Sequence, residues 1–286
     1  MRWLHTLLRP LLKTYIKHQS NKNLPEYNRS VELSIFDDAV EVIRDKWGVP
    51  HIYAQTEADL FRAQGYVHAQ DRLWQMETFR RVSLGTLSEV VGAEGLPVDR
   101  IARSMGFGRK ATEDVATSPF TDRLIKPYVE GVNAFLSLKK PLPPEYKLLG
   151  IQPRPWTAQD VFATGRFFAL QMSQGWVHEI ERWQLVQKYG LERAQALFPA
   201  YPVGNPAPLE GGNATFRRLG DLLEPFKGPY LRPIEGSNNW VVAPHKMNTG
   251  HAALCNDPHL LINAPNIWYE NHLKAASGYH TTGVSL

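Results

Sequence analysis

Cysteine and an overall charge excess are both nearly missing from this sequence of 286 residues. Its one cysteine, Cys255, has no second cysteine to pair with, which excludes an internal disulfide and leaves the compartment open. The formal net charge of +4 comes from residues 1–22, which hold five basic residues and no acidic one. The rest of the chain contains 27 basic and 28 acidic residues and is nearly neutral, so no nucleic-acid partner is predicted.

The motifs of several common enzyme classes are also missing. The sequence contains no G-x-S-x-G, no Walker A, no G-x-G-x-x-G and no H-E-x-x-H pattern. Neither His51 nor His68 has a second histidine or cysteine at ligand spacing, and His245, His251 and His259 are irregularly spaced. These patterns argue against a zinc site and favour packing or hydrogen bonding for His51 and His68.

Residues 1–25 form a basic tail whose apolar residues recur in pairs every four positions. That spacing predicts an amphipathic helix, kinked at Pro10. Its apolar run is interrupted too often to span a bilayer, and no convincing signal peptide is seen. Residues 1–17 could lie on an anionic membrane surface, and the alternatives are a helix packed on the protein or a degraded export signal.

Residues 26–209 are predicted to form a mainly helical portion that begins with short strands. Two capping-box patterns, Thr56 with Asp59 and Thr157 with Asp160, each precede a helical segment. The predicted elements here are strands Val31–Phe36 and Val40–Arg44, a strand resuming at His51–Ala54, helix Glu57–Arg81 and a helix through Met172.

A break in composition separates this portion from the rest of the chain. Three prolines and three glycines fall between Pro202 and Gly212, and residues 210–236 are predicted to be a spacer. Residues 237–286 are predicted to be β-structure. The strands expected are Asn238–Ala243, Ala252–Asn256, Asn266–Ala275 and His280–Leu286, with Asp257–His259 as a loop.

The spacer ends at Gly236-Ser237, immediately before a strand-forming run. If the bond before Ser237 were cut, that residue would carry both a hydroxyl nucleophile and a free α-amine with a pKa of about 7.7–8.0. Such an amine can serve as the base for its own hydroxyl. A Gly-Ser-Asn-Asn tetrapeptide on its own, however, is typical of a turn.

Five segments together resemble the penicillin acylase family, which includes penicillin G, acylhomoserine-lactone, cephalosporin and aculeacin acylases. The resemblance runs from about Val31 to Leu286. It is carried, in this order, by Ile43–Ala54 (IRDKWGVPHIYA), Ala63–Arg81 (AQGYVHAQDRLWQMETFRR), Gly85–Gly95 (GTLSEVVGAEG), Gly236–Val242 (GSNNWVV) and Asn256–Leu260 (NDPHL).

The resemblance implies an α+β fold of the N-terminal-nucleophile hydrolases, with αββα layers that are incomplete here. It implies a precursor that cuts itself between Gly236 and Ser237, and hydrolysis of small acyl amides through an acyl-enzyme on Ser237. His259 would orient or hydrogen-bond the nucleophile. Glu179 would be a ligand of a structural calcium ion; Met172 and Phe168 would line the acyl pocket.

By the same resemblance, the oxyanion-hole residues and the other calcium ligands would lie beyond Leu286. The chain is therefore expected to need the remainder of a β subunit as its partner. The alternative is a truncated, catalytically inactive fragment or a non-enzymatic subunit. Penicillins, acylated homoserine lactones and lipopeptides stay open as substrates, with a tilt toward long-chain acyl amides, and the resemblance implies a periplasmic or extracellular location.

Overall fold

The computed structural model describes residues 24–173, 175–197, 236–260 and 263–286, together with isolated positions between 10 and 18. The predicted tail helix and most of the predicted spacer lie outside these ranges. Among the described residues, no helix is both long enough and apolar enough to cross a membrane. The chain divides into two compact units, residues 1–165 with 263–286, and residues 166–262.

Most of the described residues that precede the Gly236-Ser237 junction are helical. After strands β1 (Glu41–Arg44) and β2 (Pro50–Ala54) come the helices α1 (Glu57–Leu84), α2 (Ser88–Val91), α3 (Leu96–Met105), α4 (Phe107–Thr117), α5 (Lys126–Ser137), α6 (Pro144–Leu148), α7 (Ala158–Met172), α8 (Gly175–Tyr189) and α9 (Leu191–Leu197). A 3-10 turn at Gly92–Gly95 and a π-helical turn at Thr121–Ile125 lie between them. Strands β3 (Gly236–Val242), β4 (Ala253–His259), β5 (Tyr269–Ala275) and β6 (His280–Ser285) follow, with a 3-10 turn at Pro244–Lys246.

Helix α1 begins and ends where the sequence predicts. The Thr56 side chain accepts a hydrogen bond from the Asp59 amide at 3.1 Å, which caps the amino end. At the other end Gly85 adopts the left-handed conformation, with φ of 67°, that glycine tolerates best. The capping box is only half formed, because the Asp59 carboxylate instead accepts from the amides of Asp37 and Asp38.

The four-stranded sheet of the first unit has the order β1-β2-β5-β6. Strands β1 and β2 pair antiparallel, as do β5 and β6, whereas β2 and β5 pair in parallel. Alternation along the strands turns Ile52, Ala54, Leu273 and Ala275 toward α1, where they form a buried apolar cluster. One sheet is thus assembled from segments that lie on opposite sides of the spacer.

Helices α1 and α5 cross at very close range. A Cβ atom added to Gly131 of α5 would lie 1.8 Å from the backbone oxygen of Arg62, and one added to Gly65 of α1 would lie 2.0 Å from that of Tyr128. The crossing continues into a second apolar cluster, which the two helices share with Tyr146 and Trp156. Two glycines that face each other's helix therefore set the distance between the helix axes.

The second unit contains α8, α9 and the antiparallel pair β3-β4. Large apolar side chains on both faces of this pair are exposed, including Trp240 on one face and Val241 and Leu254 on the other. The predicted α+β class is confirmed.

Two predictions of local structure are wrong. Residues 31–36 do not form a strand. The chain turns within this segment, and the next two amides, those of Asp37 and Asp38, donate hydrogen bonds to the Asp59 carboxylate. The stretch Asp257–His259 is not a loop but the end of β4, where Pro258 lies opposite Ser237. Proline is tolerated there because β4 is an edge strand of a two-stranded sheet.

Candidate active site

The Gly236-Ser237 bond lies at the beginning of strand β3, as the sequence predicts. Gly236 has a φ of 150°, a backbone conformation that side-chain-bearing residues rarely adopt. The residue before Ser237 therefore needs to be glycine. Ser237 itself is exposed.

The Ser237 hydroxyl lies against the peptide group it would have to attack. Its Oγ donates a hydrogen bond to the Gly236 carbonyl oxygen over 2.7 Å. This contact holds the hydroxyl beside the peptide group, and Oγ has to turn from the carbonyl oxygen toward the carbonyl carbon for an attack.

The side chain of His259 lies close to the junction but faces away from the Ser237 hydroxyl. His259 pairs across the hairpin with Gly236, and Ser237 pairs with Pro258. Because paired residues share a face and neighbours alternate, His259 lies on the face opposite Ser237. Its Nε2 contacts Asp257 Oδ2 at 2.8 Å and Asn238 Nδ2 at 3.4 Å. No hydrogen bond joins His259 to Ser237 in the residues described, so its role beside the nucleophile stays a prediction.

The two residues predicted to line an acyl pocket, Phe168 and Met172, occupy one face of α7 one turn apart. Phe168 is buried, and its ring meets that of Phe167 edge-on with the centroids 5.9 Å apart. Met172 is 51% exposed near the carboxyl end of the helix. Met172 is thus the one of the pair that a ligand could reach without repacking the helix.

Among the described residues, the contact of the Glu179 carboxylate on α8 is with a cationic side chain. Glu179 Oε1 lies 3.9 Å from Arg182 Nη1, one turn along the same helix. Calcium takes six to eight oxygen ligands, yet the described residues include no group of three or more histidine, cysteine or acidic side chains placed to hold a metal. These residues alone do not fit a calcium ion, and the calcium prediction stays untested.

The sequence of these elements can be compared with known proteins. The sequence pattern of the penicillin amidase family matches residues 39–286. The chain belongs to the penicillin amidase family. The predicted family resemblance is confirmed.

Individual relatives of the chain are named as two kinds of acylase. It is 37% identical over 277 residues to the penicillin acylase 2 proenzyme of Pseudomonas sp. (strain SE83), covering 92% of this chain and 35% of the relative. It is 31% identical over 268 residues to the acyl-homoserine lactone acylase QuiP of Pseudomonas aeruginosa, covering 86% and 30%. A solved thermostable penicillin G acylase from Alcaligenes faecalis is 30% identical, with a TM-score of 0.49, over 61% of this chain and 98% of that chain.

The first two comparisons also fix the extent of the match. The chain spans about a third of the length of these two curated relatives. The activity, substrates and partners of a whole penicillin amidase are therefore matters for proposal.

The sequence did not predict a buried polar cluster around His68. His68 on α1 is 2% exposed; its Nδ1 lies 2.9 Å from the Tyr128 hydroxyl and its Nε2 lies 3.1 Å from Ser285 Oγ. Ser285 also accepts a hydrogen bond from Asn271 over 3.0 Å. The sequence favoured hydrogen bonding for His68, but 217 residues separate it from Ser285, and no local pattern predicts such a partner.

Burial makes His68 a source of acid sensitivity. Desolvation first, and then the nearby Arg72 guanidinium, lower the pKa of His68 to about 3, against an ordinary value near 6.5. Between about pH 6.5 and pH 3, His68 is therefore protonated in the unfolded chain and neutral in the folded chain. The stabilising effect of the neutral ring is complete above about pH 6.5 and is lost progressively as the pH falls toward 3.

We expect the free energy of unfolding to drop by about 2 kcal/mol between pH 7 and pH 5 on account of His68. Urea titrations at the two pH values measure this difference. His68→Gln, which cannot titrate, should be less stable at pH 7 and should lose about 2 kcal/mol less on acidification. Equal losses in the two proteins would contradict the assignment to His68.

Proposed function

We propose that the chain supplies the nucleophile of an amide hydrolase, and that Ser237 becomes that nucleophile when the bond after Gly236 is cut. The observation that carries the proposal is the hydrogen bond from the Ser237 hydroxyl to the Gly236 carbonyl oxygen, which lies at the first residues of strand β3. The name of the relative that is a proenzyme supports a processed precursor, and both relatives' names denote acylases.

The cut follows from the chemistry of a hydroxyl next to a peptide bond. Ser237 Oγ adds to the Gly236 carbonyl carbon, and the C–N bond of the tetrahedral intermediate then breaks. The acyl group moves from nitrogen to oxygen, and the Ser237 nitrogen takes the hydroxyl proton. Water hydrolyses the resulting ester, which leaves a carboxylate at Gly236 and a free α-amine on Ser237.

The freed amine then serves the hydrolysis of a substrate. Its pKa of about 7.7–8.0 lets it take the Ser237 hydroxyl proton near neutral pH as Oγ attacks the substrate carbonyl. The proton passes to the departing nitrogen, the amine product leaves, and water releases the acyl group from Oγ. His259 is proposed to orient groups around Ser237.

The substrates proposed are small acyl amides, with penicillins and acylated homoserine lactones as the classes named for relatives. An oxyanion hole, where one donor is worth about 3–4 kcal/mol of barrier, is proposed to come from a polypeptide equivalent to the other two thirds of the relatives. Export to the periplasm or medium is proposed with it. The second candidate, a non-enzymatic subunit, is favoured by the two exposed apolar faces of β3-β4, which could dock on another chain.

The intact mass of the purified chain tests the proposal. We expect the chain to separate into residues 1–236 and 237–286, either alone or when it is followed by the remainder of the penicillin acylase 2 sequence. Cleavage of the chain alone would mean that these 286 residues suffice to build the self-cutting site. If the extended protein is neither cut nor hydrolyses any acyl amide, the enzyme proposal is wrong and the subunit alternative gains.

A further inference from the structure

Three histidines form a continuous row on the sheet face opposite α1. His51 of β2 and His272 of β5 are paired residues, and their Nδ1 atoms lie 3.1 Å apart. The other ring nitrogen of His272, Nε2, lies 2.9 Å from Nε2 of His280 on β6. The ring centroids are 5.2 and 5.0 Å apart. His272 therefore uses both of its nitrogens within the row.

The row joins segments from opposite sides of the junction at Gly236. His51 precedes that bond, and His272 and His280 follow it; His272 comes 221 positions after His51. The backbone pairing of β2 with β5 lies directly beneath, and it continues past the strand end through the Ala276 and Ser277 amides, which donate to Ala54 and Gln55. Whatever changes the row acts on the contact between these two parts of the chain.

Counting protons shows what the row tolerates. Each ring-to-ring contact needs one N–H donor and one bare nitrogen. Three neutral rings carry three protons, of which two fill the contacts and one sits at an outer nitrogen. A fourth proton fills the second outer nitrogen and leaves both contacts intact. A fifth must place two N–H groups against each other at one of the contacts, which abolishes that hydrogen bond and makes two of the three rings cations.

The surroundings of the row favour one added proton over two. Asp45 Oδ2 lies 3.8 Å from the outer Nε2 of His51 and offers one carboxylate to a single cation. Lys274, opposite His280, adds positive charge to this face of the sheet. Two exposed acidic residues, Glu41 and Glu270, lie on the same face. The Tyr53 ring packs edge-on against His272. Burial, then His280, His51 and Lys274, lower the pKa of His272.

We propose that the row His51–His272–His280 is a proton-operated clasp between β2 and the β5-β6 pair. It accepts one proton with its contacts intact, and it opens when a second proton binds, which loosens the pairing of β2 with β5. The clasp acts in the uncut chain; only its consequence for holding two cut products together rests on the proposed function.

Histidine ring spectra and amide hydrogen exchange of the ¹⁵N-labelled full chain test the clasp between about pH 8 and about pH 4.5. The three rings should take up a first proton in a shared step and a second at least about one pH unit lower. With the second step, protection of the Ile52 and Lys274 amides, which carry the pairing of β2 with β5, should fall about tenfold relative to Val132 of α5, the effect of about one pKa unit of coupling. Val132 serves as the reference because it is fully buried in the α1-α5 cluster, so it reports global unfolding, including any caused by His68.

Two variants separate the clasp from ordinary histidine titration. His272→Gln removes both contacts, so His51 and His280 should titrate independently and the relative loss of protection should disappear. His280→Gln leaves the His51–His272 contact, so a coupled step should persist. Three independent single-site curves in the unmodified chain, or a constant protection ratio across the pH range, would overturn the proposal.

Discussion

Ser237→Ala is expected to leave the chain as one uncut species of 32.5 kDa under conditions in which the unmodified protein separates at Gly236. The physical reason is that the attacking atom is removed while its surroundings stay. The side chain is exposed and its one hydrogen bond is to the Gly236 carbonyl, so the fold loses little. Intact mass after prolonged incubation measures the result.

Hydrolysis should disappear together with processing. In enzymes where a serine is the nucleophile, its removal costs about a millionfold in turnover. The suitable comparison is Ser277→Ala, because Ser277 is an exposed serine in the turn between β5 and β6 and should leave both reactions unchanged. Cleavage of Ser237→Ala at the same bond and the same rate would show that another group cuts the chain.

Gly131→Ala is expected to be the most damaging single-methyl change in the described residues of the helical portion. The new Cβ would lie 1.8 Å from the Arg62 oxygen, where contact requires more than 3 Å, and a backbone carbonyl on a long helix cannot swing aside as a side chain could. The α1-α5 crossing would have to open along its length and leave voids among the residues packed there. We expect a loss of at least about 4 kcal/mol in the free energy of unfolding, measured by urea titration, or failure to fold.

Gly165→Ala provides the matched control. Gly165 is also inside a helix, α7, and a Cβ added there meets nothing within 4 Å. That variant should gain up to about 1 kcal/mol, since alanine is the better helix former. If Gly131→Ala stayed within about 1 kcal/mol of the unmodified chain, the close crossing would be wrong.

These glycines illustrate how far the sequence could predict the fold. In the sequence Gly65 and Gly131 only weaken a helical pattern; their use becomes visible when the two helices are placed together. By contrast, helix α1 was predictable because Thr56 and the apolar spacing act within a few residues. The segment 31–36 was misread because its apolar spacing fits a strand, while Asp59, more than 20 residues away, decides its path.

In the candidate site, too, features set by neighbouring residues were predictable and features set by distant residues were not. The Gly236-Ser237 junction was predictable because glycine, serine and the following strand are contiguous. The orientation of His259 was not, because it depends on the register of β3 with β4, and Asp257–His259 was expected to be a loop. The histidine row and the His68 cluster join positions more than 200 residues apart, for which a single sequence carries no local pattern.

The parallel pairing of β2 with β5 also sets an order of events during synthesis. At about 5–20 residues per second, the ribosome needs on the order of 10 to 40 s to add the 221 residues between His51 and His272. For that time the β1-β2 hairpin and α1 wait with the partner edge of β2 unpaired, although that edge later becomes the interior of the sheet. An unpaired strand edge invites association with other chains. The nascent protein is therefore expected to be most prone to aggregate before β5 emerges.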